Sequence, residues 1–147
     1  MAEYAGVLHR ILAAVIDHAI LAIITMVIAL PFGVSGAFMM MGADPIAAMA
    51  AAASWMTFIV ISAIIWLVYF PYFESTTGQT IGKKLMGIKV VREDGKKVTM
   101  PEAIIRTVLR IVDELPFAYI IGLIVMLVSQ KKQRIGDMAA RTIVVKA

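Results

Sequence analysis

Apolar residues fill two long stretches, Ile11 to Phe32 and Ile46 to Phe73, and polar residues gather between and after them. The only ionisable residues in the first stretch are Asp17 and His18, and Pro31 and Gly33 close it; the second carries no charge at all. About 20 predominantly apolar residues cross a bilayer as a helix, so both read as transmembrane helices, over about 11–32 and 46–73. The start of the second is small (Ala47, Ala48, Ala50 to Ala53), which lets helices approach closely, and Trp66, Tyr69 and Tyr72 read as an interfacial belt. The glycine-containing connector 33–45 holds Asp44 and no Lys or Arg.

From Glu74 to Met100 the pattern changes: Lys83, Lys84, Lys89, Arg92, Lys96 and Lys97 face Glu74, Glu93 and Asp94. The positive-inside rule makes 74–100 a cytosolic loop, with the N-terminus inside. Within it, Ile88 to Val91 and Lys97 to Thr99 flank an Asp94-Gly95 turn signal and predict a β-hairpin, to which Thr142 to Lys146 adds a third strand.

Residues 101–130 form an amphipathic to hydrophobic helical segment. Pro101-Glu102 is a helix start, and Arg106, Arg110 and Asp113 at i, i+4 and i+7 make one charged stripe. Pro116 then interrupts. Leu115 to Gln130 as a straight helix covers about 24 Å, short of the roughly 30 Å of hydrocarbon. The basic tail 131–147 prefers the cytosol, and two cytosolic flanks require an even number of crossings. The segment is therefore expected to bend near Pro116 as a helical hairpin or re-entrant pair, or as third and fourth spans. A surface-lying amphipathic helix would also account for Arg106 and Arg110. The fold class is an all-α polytopic membrane protein: one domain over 1–147, a small helical bundle with a cytosolic β-hairpin, both termini cytoplasmic, in the cell membrane.

Composition agrees. A chain of 147 residues that is 61% hydrophobic, with a mean hydropathy of +0.90, belongs to the membrane class. Ile11 to Phe32 is too long for the apolar region of a signal peptide, and Asp17 sits inside it. The absence of cysteine excludes disulfides, zinc–thiolate and iron–sulfur sites, and two separated histidines make no metal set. No nucleophile–base pair is visible, so no enzyme, cofactor or nucleic-acid partner is expected.

Asp17 is the sharpest candidate. Arg10 lies seven residues before it, about two turns, so the two share a face within roughly 20° but stand roughly 10 Å apart along the axis. A carboxylate at mid-membrane costs about 2.5–3.5 kcal/mol on insertion scales and needs a partner. Arg106 or Arg110 is the expected counter-charge, either as a structural pair or as part of a site that titrates and handles a proton or monovalent cation. His18 is placed to relay a proton or simply to pack. His9 and Arg10 read as snorkelling anchors, and Lys83, Lys84 and Lys89 as contacts to anionic lipid headgroups of the bilayer. Gly78-Gln79-Thr80-Ile81-Gly82-Lys83-Lys84 has the outline of a phosphate-binding loop, but it is one residue short and lacks Ser/Thr after the lysine, so nucleotide hydrolysis is rejected.

In this order the segments resemble the RDD family of integral membrane proteins, named for an arginine and two aspartates. Arg10 and Asp17 match the first two positions, and Asp137 in Gln133-Arg134-Ile135-Gly136-Asp137 corresponds to the third. The 78–91 segment, Arg106 through Pro116 and the closing Thr142-Ile143-Val144-Val145 support the match; His18 departs from it. The resemblance implies a membrane protein of poorly defined role, with transport of unidentified ligands suggested and sodium/proton antiport proposed for some members. Asp137, in a post-membrane turn between Arg134 and Arg141, reads first as a local ion-pairing and capping residue. Two functions follow. One is a transporter-like protein exchanging cations for protons at Asp17, which with so few spans requires a homo-oligomer; the other is a non-transporting scaffold or accessory subunit whose buried charges fix helix packing.

Overall fold

A computed structural model describes residues 3–40, 44–114, 124–129 and 131–147, with backbone alone at 34–40 and 111–114. The chain is mostly helical. Its elements are α1 (Val7–Met40), α2 (Pro45–Thr76), α3 (Ile81–Leu85), β1 (Ile88–Arg92), α4 (Met100–Glu114), α5 (Ile135–Ala139) and β2 (Thr142–Lys146), with a helical turn at 124–128. The bend expected near Pro116 lies outside the described residues, as does the side chain of Asp113.

Two helical stretches, Val7–Gly33 (27 residues) and Pro45–Thr76 (32 residues), are long and apolar enough to cross a membrane. Helix α1 does not stop at Gly33 as the sequence suggested; it runs on to Met40, taking in part of the expected connector. Proline and glycine are weak breakers in apolar helices, where neighbouring groups take up the freed backbone polar atoms.

The chain divides into two compact units, residues 18–66 and residues 1–17 with 67–147. In the first, large apolar side chains such as Met26 and Met49 face outward, and aromatic contacts join Phe32 to Phe58 (centroids 5.9 Å apart) and Trp55 to Phe58 (5.7 Å). The second unit holds the sheet and the charged residues. Its small apolar core comprises Ala5, Ala13, Ile88, Val90, Val98, Ala103 and Val144. The alanines leave little side chain between backbones, so the elements meet closely.

The sheet corrects one expectation. Strand β1 pairs antiparallel with β2, from Ile88 opposite Lys146 to Arg92 opposite Thr142, and Tyr4 bridges to Val145. The turn after β1 forms, with Gly95 at φ +82° and the Arg92 N–H on the Lys96 carbonyl (2.9 Å), yet Lys97 to Thr99 is not a strand. Helix-start chemistry wins there. The Glu102 carboxylate accepts from the Thr99 N–H at 2.8 Å, one half of a capping box, and Val98 is buried in the core.

Candidate functional site

Helix α1 carries Arg10, Ala13 and Asp17 at i, i+3 and i+7, and all three are buried while Leu8, Leu12 and Val15 are exposed. This inverts the usual order, with the polar stripe inside. The Asp17 carboxylate accepts three hydrogen bonds: Tyr69 Oη and the Gly82 N–H on Oδ1, both at 2.8 Å, and Thr80 Oγ1 on Oδ2 at 2.5 Å. Thr80 also caps α3, accepting from the Lys83 N–H at 3.3 Å. Gly82 is required by space: a Cβ there would stand 2.2 Å from the Ala13 carbonyl oxygen and 2.9 Å from Asp17 Cγ.

Arg106 and Arg110, the expected partners of Asp17, go elsewhere. Arg106 donates through Nε to Glu74 Oε2 (2.9 Å) and through Nη1 to Asp137 Oδ1 and to Thr142 Oγ1 (2.5 Å). Arg110 Nη2 donates to Glu74 Oε1 (3.1 Å), with its guanidinium 3.8 Å from the centre of the Phe70 ring. The physical reason is that donors already surround the Asp17 carboxylate, and charge-assisted hydrogen bonds stabilise a buried anion without a cation in contact. Glu74, fully buried, receives both guanidinium groups.

The result is one chain of ion pairs. Arg10 bonds Asp137 and the Lys132 carbonyl; Asp137 bonds Arg106; Arg106 bonds Glu74; and Glu74 also holds Arg110 and Lys83. Asp137 additionally accepts the Arg134 N–H at 3.1 Å, so its local capping role and its long-range pairing coexist. The network ties α1, the end of α2, α3, α4 and α5 into one piece. Lys83, expected at lipid headgroups, is instead largely buried against Glu74, its side chain 11% exposed; Lys84 and Lys89 are exposed. His9 and His18 are exposed, His18 falling in the 18–66 unit.

The surroundings set the charges. Burial, helped by Arg106 and Arg110, pushes the Lys83 ammonium down to about 8 against the pull of Glu74. Burial alone would raise the Asp137 carboxyl, but Arg106, then Arg10 and Arg134, outweigh it and hold it well below the usual range. Burial would lower Arg106; its two carboxylates more than reverse that and keep it charged. Among the described residues no group of three metal-ligating side chains forms.

Sequence reasoning singled out Arg10, Asp17, Arg106, Arg110 and Asp137, and the structure gives all five buried polar partners. It missed Glu74, Tyr69, Thr80, Gly82 and Thr142. A carboxylate closing an uncharged run, with two arginines one turn apart waiting downstream, was the available signal for Glu74.

No curated protein and no solved structure matches the chain. The model of the RDD family matches residues 4–141, a stretch that takes in the whole buried network apart from the Thr142 hydroxyl. The chain therefore belongs to the RDD family, and that membership together with its two apolar helices points to a membrane protein.

Proposed function

We propose that the protein is a non-transporting membrane scaffold or accessory subunit, whose buried charges lock its helices together and whose apolar helix faces meet lipid and other subunits, including copies of itself. The observation that carries this reading is that Asp17 is buried and already supplied with donors: its carboxylate is held by Tyr69, Thr80 and Gly82 of the same chain. A translocated cation would have to displace those donors. The basic residues that follow α2 orient the chain with both termini cytoplasmic in the cell membrane, where exposed Lys84 and Lys89 meet anionic headgroups.

A second reading, cation/proton exchange by a homo-oligomer, has one observation in its favour. Lys83 sits against Glu74 with its ammonium pushed down to about 8 by burial, so it is poised to release a proton just above neutral pH. Reconstitution into liposomes under a pH gradient separates the two. The scaffold reading expects no sodium or potassium flux from wild-type protein, and loss of thermal stability or assembly in Asp17→Ala. Flux that Glu74→Gln abolishes, in protein that stays folded, overturns it in favour of exchange.

A further inference from the structure

We propose that α4 is an interfacial membrane helix, lying in the headgroup–acyl boundary of the same bilayer that α2 enters. Its two faces carry the argument. Ala103, Arg106, Thr107 and Arg110 point into the protein, while Met100, Ile104, Ile105 and Val108 point out, each between 43% and 50% exposed. A helix of a water-soluble domain does the reverse, burying its apolar stripe. Here the charged stripe is the buried one, and the outward stripe needs an apolar neighbour from outside.

The ion pairs say which neighbour. Arg106 and Arg110 fasten α4 to Glu74, two residues before helix α2 ends at Thr76. Leu67, Val68 and Tyr72, on the last turns of α2, are themselves outward-facing. The amphipathic helix is therefore pinned at the level where an apolar helix long enough to span leaves the membrane, with a tyrosine at its rim. Lys83 fastens α3 to the same carboxylate, and α3 too turns apolar residues outward, Ile81 and Leu85, beside exposed Lys84. Apolar side chains continuous with a membrane helix and flanked by lysine match a lipid surface.

The chain has no cysteine, so single labels can be placed without background. Nitroxide labels at Ile104→Cys, Ile105→Cys and Val108→Cys are read in vesicles of mixed zwitterionic and anionic phospholipid, with Lys97→Cys as the solvated reference. All three test positions are exposed, so labelling disturbs no packing. The expected result is an inversion: collisions with oxygen, which partitions into acyl chains, exceed those with a water-soluble nickel chelate at 104, 105 and 108, and fall below them at 97. Nickel dominating at the three test positions would place α4 in water. Both relaxants depressed there would mean that a second copy or a protein partner covers the stripe. Either outcome overturns the proposal.

Discussion

The arrangement of the two aspartates makes a quantitative claim about which of them is coupled to Arg106. Arg106 touches Asp137 and Glu74, and all three side chains are at most 4% exposed. Breaking a buried pair by removing one partner typically costs about 3–5 kcal/mol. Asp137 keeps Arg10 and the Arg134 N–H when Arg106 is removed, and Glu74 keeps Lys83 and Arg110, so the pairwise term is placed at roughly 2–3 kcal/mol, below that range. Among the described residues Asp17 and Arg106 share no hydrogen-bond partner, and well-separated sites without shared partners add to within about 0.5 kcal/mol. Two double-mutant cycles test this, Asp137→Asn with Arg106→Gln and Asp17→Asn with Arg106→Gln, read as unfolding free energies of the purified protein in one detergent. The first cycle should show strong coupling and the second almost none. Equal coupling, or a larger value for Asp17, would mean that the Arg106 guanidinium serves the Asp17 carboxylate after all, and the description of the network would be wrong.

Three further outcomes follow from the same geometry. Gly82→Ala drives a methyl into the Ala13 carbonyl, so α3 must withdraw and Asp17 loses two charge-assisted hydrogen bonds; at about 1.5–3 kcal/mol each this costs roughly 3 kcal/mol or more, seen as a large drop in melting temperature. Tyr69→Phe removes one of three donors and should cost about 1.5–3 kcal/mol while the protein stays folded. Lys83 has a folded pKa of about 8 against an ordinary 10.5, so between those values the unfolded chain binds more protons and stability rises with pH. Thermal unfolding from pH 8 to 10 should show that rise in wild type and lose it in Lys83→Met.

What could be read along the chain was whatever depends on neighbours in sequence. Two apolar runs mark two helices, Pro101-Glu102 marks the start of α4, and Asp94-Gly95 marks a turn. The strand at Thr142 to Lys146 was also legible, although its role was read as an addition to a local hairpin. Pairings across the chain were not legible. Arg10 stands 127 residues from Asp137, and nothing in local periodicity selects it over the arginines beside Asp137 as that carboxylate's partner. The glycine-containing segment shows the difference most clearly. Judged as a nucleotide loop it fails, yet Thr80 and the Gly82 N–H do grip an anion; the anion is Asp17 of the same polypeptide. Tyr69, read as a membrane-belt residue, gives its hydroxyl to the same carboxylate, because the tip of a tyrosine can find a polar partner while its ring stays among apolar neighbours.

The pairing of Arg10 with Asp137 also imposes a timetable on biosynthesis. Ribosomes add roughly 5–20 residues per second, so the 127 additions that lead from Arg10 to Asp137 take about 6–25 s. Throughout that interval the first helix has already emerged with its guanidinium lacking the carboxylate it will finally hold. The nascent protein must shelter that charge by other means, through headgroups, water or the insertion machinery, and only translation of the segment that carries Asp137 lets the structure close.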